Sequence, residues 1–162
     1  MGFSVTARGD REIMVTRDFN APREMVWDAM TQPEHLRRWM LGPPGWTMTA
    51  CEDDPRVGGK YRIAWRGPEG EDLAMSGTYR EVKHPSRIVR TESFSMAGEP
   101  QPGETVGTFE LTGRGDVTSL TITLVYPSKA ARDGMINSGM EHGMAASYQR
   151  LDELLAGTPN GK

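Results

Sequence analysis

One cysteine, Cys51, occurs in a chain of 162 residues. No internal disulfide can form, and a reducing, cytoplasmic setting is the expectation. The histidines stand far apart at 35, 84 and 142, so no His-containing triad can be nominated. Glu141-His142 is followed by no second histidine at helical spacing and is no metal motif. No glycine-rich run has the spacing of a phosphate loop, and Gly58-Gly59 reads as a turn. No apolar run approaches the length of a membrane span, and no signal peptide is visible. Basic and acidic residues are interspersed, 19 against 22, and the net charge of −3 leaves no electrostatic footprint for nucleic acid. Met1-Gly2 with Thr6 meets the bare myristoylation pattern, which is too short to carry weight. Repeats and low-complexity segments are missing as well. These gaps leave no cofactor, metal or catalytic motif to assign. The expectation is one domain over residues 1–162, with a core over about 11–156.

What is present is organised around the stretch from Ser128 to Ala156. At 3.6 residues per turn it gathers Ile136, Met140, Gly143, Met144, Ser147, Tyr148, Leu151, Leu154 and Leu155 on one face. Ser138, His142, Gln149, Asp152 and Glu153 lie opposite. Ser128 is a capping type, and Gly157 with Pro159 ends the run. Read as one helix, it is ~40 Å long at 1.5 Å per residue. Gly134, Gly139 and Gly143 each cost about 1 kcal/mol against Ala inside such a helix. Either the backbone is closely approached there, or volume is missing and a pocket results. Met140 and Met144 beside it are core or adaptable pocket walls.

A helix of that length needs a sheet to cover, and alternation supplies one. Arg11 to Phe19 reads as a strand with Ile13 and Val15 on one side. Asn20-Ala21-Pro22 opens a short helix, and Thr31 to Met40 forms another with Leu36, Trp39 and Met40 inward. Trp46 to Asp53 then alternates Trp46, Met48 and Ala50 against Thr47, Thr49 and Cys51. Lys60 to Arg66 is the clearest strand, with Tyr61, Ile63 and Trp65 on one face. Leu73 to Val82, Arg87 to Phe94, Thr105 to Thr112 and Val117 to Tyr126 complete the set, with Ala97 to Gly103 as a polar loop. The class is α+β: a curved antiparallel sheet of about seven strands around a long C-terminal helix, with two short helices after the first strand.

Four segments carry a resemblance: FNAPREMVWDAMTQPEHLRRWM, DPRVGGKYRIAW, SGTYREVKHPSRIVRTESF and MEHGMAASYQRLDELL. In order and spacing they resemble the branch of the Bet v 1-like, START-related (SRPBCC) superfamily named after the activator of Hsp90 ATPase. The resemblance implies a helix-grip fold with a cavity between sheet and helix. Met144 departs from the pattern, since many relatives carry Trp after the glycine. The wider superfamily binds lipids, hormones, polyketides and other apolar molecules. In eukaryotic activators a further N-terminal domain contributes to Hsp90 engagement. This chain is not long enough to hold it, so an Hsp90-type chaperone is not the expected partner.

The candidate cavity residues are aromatic first: Trp39, Tyr61, Trp65, Tyr79, Phe94 and Tyr148. Ile63, Met75, Met140, Gly143 and Met144 complete the apolar walls. By alternation Arg90 and Glu92 share a face with Ile88 and Phe94, read as the inner one. Either they point into the cavity and orient a ligand, or the register slips and they face solvent. Nothing in the sequence activates the Cys51 thiol. The expected function is binding of a small apolar or amphipathic molecule, with no nucleic acid, no membrane insertion and a homodimer left open. The alternatives are an enzyme of cyclase or hydrolase type in the same cavity and a co-chaperone-like interaction module.

Overall fold

The computed structural model describes residues 2–101 and 103–157. Its elements run β1 (Phe3–Arg8), β2 (Glu12–Phe19), α1 (Arg23–Thr31), α2 (Pro33–Trp39), β3 (Thr47–Asp53), β4 (Lys60–Arg66), β5 (Asp72–Lys83) and β6 (Arg87–Met96). Then follow β7 (Glu99–Pro100), β8 (Thr105–Arg114), β9 (Val117–Val125), α3 (Lys129–Asn137) and α4 (Met140–Ala156). The strands form one open antiparallel sheet in the order β1-β2-β9-β8-β6-β5-β4-β3, with the short β7 paired to β6. The sheet curls around α4, and α1 and α2 form a V at one end.

The expected α+β grip is therefore the fold, with two strands rather than one ahead of the short helices. Strand β1 went unread although Phe3, Val5 and Ala7 alternate with Ser4, Thr6 and Arg8; the alternation is short and only Phe3 and Val5 are half-buried. The polar loop expected from Ala97 to Gly103 includes β7, and Pro102 lies outside the described residues. Strands β4 and β9 follow their alternation closely. Tyr61, Ile63 and Trp65 are buried on β4, as are Leu120, Ile122 and Leu124 on β9. Strand β3 does not. A bulge between Met48 and Ala50 shifts its phase, so Cys51 pairs with Ile63 and turns inward, away from the threonine face expected for it.

The single long helix is also corrected. It breaks into α3 and α4 at Ser138 and Gly139, where Gly139 adopts φ +87°. Asn137-Ser138-Gly139 is helix-stop chemistry: a left-handed glycine follows the last turn, and the Ser138 hydroxyl donates to the Met135 carbonyl at 2.6 Å. Helix α4 alone is ~25 Å long at 1.5 Å per residue. After the break the faces no longer line up, and Ile136 is exposed rather than buried. The Ser128 cap is present, its hydroxyl accepting from the Ala131 amide at 3.0 Å. Asn20 does not cap α1; Pro22 holds that position with no side-chain bond. Pro159, expected to close the last helix, lies outside the described residues.

Two buried arginines fasten the helices to the sheet. Arg17 on β2 makes a two-pronged pair with Asp152 on α4, at 3.1 and 2.5 Å, so Asp152 is not on a free outer face. Arg132 on α3 donates from Nη1 to the carbonyls of Arg8, Gly9 and Glu12, at 3.3, 3.1 and 3.0 Å. The V of short helices is pinned by indoles. Trp39 Nε1 donates to the Ala29 carbonyl at 2.8 Å, and Trp65 Nε1 to the Met40 carbonyl at 2.7 Å. The following loop is tied to α4, since the Gly42 amide donates to Ser147 Oγ and Arg150 Nη1 to the Gly42 carbonyl.

Candidate functional site

Between the concave face of the sheet and α4 lies a pocket of about 400 Å³. Its floor is Ile63 and Trp65 of β4, Met75 of β5, and Ile88, Arg90, Glu92 and Phe94 of β6. Helix α4 contributes Met140, Gly143, Met144 and Tyr148. Trp39 closes one end, stacked on Tyr148 with ring centroids 5.9 Å apart. A Cβ at Gly143 would meet Pro43 at 3.5 Å, an ordinary contact, so the backbone is not closely approached there.

Eleven of the thirteen residues named from the sequence come together in this lining; Tyr61 and Tyr79 do not. Both are buried, but on the far side of Arg90. The Arg90 guanidinium lies between two rings, 4.3 Å from the Tyr61 centroid and 4.6 Å from that of Phe109. The Tyr61 hydroxyl donates to the Thr91 carbonyl at 2.7 Å, and the Tyr79 hydroxyl to Asp53 Oδ1. These two tyrosines hold the arginine and do not form the walls.

Arg90 and Glu92 are both buried, 9 % and 7 % exposed, and Arg90 Nε lies 3.4 Å from Glu92 Oε2. Of the two registers left open for them, the structure has the inward one. In the β6–β8 ladder, Arg90 stands opposite Gly107 and Glu92 opposite Thr105. A Cβ at Gly107 would sit 3.1 Å from Glu92 Oε2 and 3.1 Å from the Phe109 ring, so the glycine leaves room for the pair. Burial is the largest influence on the Glu92 carboxyl and raises its pKa, while the charge and hydrogen bond of Arg90 pull the other way. Burial also lifts the Asp53 carboxyl to about 6, against the Tyr79 hydrogen bond and the charge of Arg90. Its Oδ2 has no hydrogen-bond partner among the described residues.

Sequence reasoning missed several wall residues. Pro43 and Trp46 come from the loop after α2, Phe109 and Tyr126 from the last hairpin, and Met135 from α3. The alternation of β9 carried a signal for its share; Met135 had none, because its position depends on the helix break. All four tryptophans of the chain, Trp27, Trp39, Trp46 and Trp65, face the same space. Burial raises the hydroxyls of Tyr126 and Tyr148, so both stay protonated near neutral pH. The Cys51 thiol is raised by burial too, against the pull of Arg37, which removes nucleophile character. Among the described residues no group of three or more His, Cys, Asp and Glu side chains is placed to hold a metal. No helix there is long and apolar enough to cross a membrane.

An antiparallel sheet gripping a C-terminal helix defines the helix-grip class, a fold shared by ligand-binding and co-chaperone-like modules. Within it, the pattern of the family described as "Activator of Hsp90 ATPase homolog 1-like protein" matches residues 20–156, and the chain belongs to that family. A crystal structure of a Rhodobacter sphaeroides protein is similar at 30 % identity and a TM-score of 0.88, covering 97 % of this chain and all of that one. A solution structure from Arthrobacter aurescens is similar at 27 % identity and a TM-score of 0.83, covering 97 % and 93 %. Among curated proteins none matches.

Proposed function

We propose that this protein binds a small, apolar or amphipathic molecule between the sheet and α4. The observation that carries the reading is the pocket of about 400 Å³, walled by apolar and aromatic side chains with one charged pair among them. Ligand sites have this make-up: a concave volume of roughly 300–1,000 Å³, mostly apolar, with a few placed polar groups. The fixed indole bonds of Trp39 and Trp65 favour a space that exists before the ligand arrives.

The test is Gly143→Leu together with native mass spectrometry of freshly purified protein. A Cβ at Gly143 has room, and replacing a helix-interior glycine gains up to roughly 1 kcal/mol in propensity. A leucine there takes up pocket volume. The variant is expected to melt at or above the wild-type temperature and to lose the thermal shift that an apolar compound panel gives the wild type. A clearly destabilised variant, combined with no compound shifting the wild type, overturns the reading.

A further inference from the structure

The pocket is mostly apolar, and its one pair of charged side chains is built rather than incidental. Most polar atoms in its lining are already used inside the protein. Thr31 Oγ1 donates to the Trp27 carbonyl, Ser147 Oγ accepts from the Gly42 amide, and both indoles named above donate to carbonyls. Arg90 and Glu92 are different. Their one mutual contact, at 3.4 Å, is long for a charge-assisted bond and leaves the second Glu92 oxygen without a partner among the described residues. The Tyr126 and Tyr148 hydroxyls likewise have no hydrogen-bond partner among the described residues, and both sense the charge of Glu92. Gly107 keeps the space beside the pair open, and two ring faces hold the guanidinium in place.

Charge balance then restricts what fits. With Glu92 ionised beside Arg90, an anionic head on the guanidinium sets a second negative charge beside Glu92, and a cationic head sets a second positive charge beside Arg90. A purely hydrocarbon ligand covers both groups and returns no hydrogen bond, which is the costly case for buried polar atoms. Resting on the binding reading above, we infer that the ligand is a neutral amphipathic molecule. Its apolar body lies along α4, and its head carries both a hydrogen-bond acceptor for Arg90 and a donor for Glu92, as a carboxamide or hydroxy-carbonyl does.

Three probes of one shape test this by isothermal titration calorimetry at pH 8: 2-naphthamide, 2-naphthoate and 2-methylnaphthalene. The amide is expected to bind the wild type at least about tenfold more tightly than either of the others, because only it satisfies donor and acceptor together. Glu92→Gln removes the negative charge, and the carboxylate is then expected to overtake the amide. Circular dichroism checks that this variant is folded, and the wild-type ranking is decisive if it is not. Naphthoate binding the wild type most tightly overturns the inference, as does methylnaphthalene matching the amide; both leave the pocket reading intact. If none of the three binds, the inference falls, and the pocket reading falls with it only if the compound panel also shifts nothing.

Discussion

Asp53 shows what one side chain costs where it stands. It is part-buried at the end of β3, accepts from the Tyr79 hydroxyl, and has one oxygen without a partner among the described residues. Its folded pKa of about 6 is above the ordinary 3.8, so between those values the folded state binds more protons than the unfolded one. Stability from this group therefore falls as pH rises from about 4 to about 6, and the whole penalty is present above 6. Two pH units correspond to about 3 kcal/mol, and solvent access reduces this to roughly 1–2 kcal/mol. Asp53→Asn keeps an acceptor for Tyr79 without the charge. In urea titrations the variant is expected to gain on the wild type across pH 4 to 6 and to hold that gain at pH 8. A difference that does not change with pH would contradict this. Gly77 is a second position where one side chain decides, since a Cβ there would lie 1.8 Å from the Thr91 carbonyl oxygen. The carbonyl that excludes a side chain there comes from β6, out of reach of any local reading of the sequence.

Among elements, most of those made by local alternation were legible, β1 excepted, and those made by punctuation were not. The bounds of β4 were read as they stand, because Tyr61, Ile63 and Trp65 alternate with charged residues and only Ala64 breaks the pattern. The β3 bulge and the α3–α4 break each displace a face by a fraction of a turn, and hydrophobic periodicity reads through both. Arg17 was unreadable for a different reason: it fills an apolar slot on β2, and its partner Asp152 lies 135 residues away. The helix break yields a paired prediction. Gly139 has a positive φ of 87° and free space around it, so Gly139→Ala is strained by backbone alone, at about 1–2 kcal/mol. Gly134 also has free space but lies inside α3, where alanine gains up to roughly 1 kcal/mol. Thermal melting is expected to fall for the first and rise for the second. Two rises would mean that one continuous helix runs through Gly139.

At the scale of the molecule, the grip of sheet on helix was legible from element order, and most of the candidate lining followed from it. What was not legible is the depth of that lining. Tyr61 and Tyr79 share the inner face with Ile63 and Trp65, and alternation cannot tell a residue facing the pocket from one buried behind an arginine. The tryptophans carry this arrangement into the optics of the protein. Every indole in the chain borders one pocket, and the rings of Trp39 and Trp65 are held by their own N–H bonds. Emission from this protein is therefore a readout of what fills that space, with no label needed. A saturating apolar compound is expected to shift or quench the intrinsic fluorescence of the wild type and to leave that of Gly143→Leu unchanged. The same signal moves on unfolding, so spectra in a binding titration need to be taken well below the melting temperature.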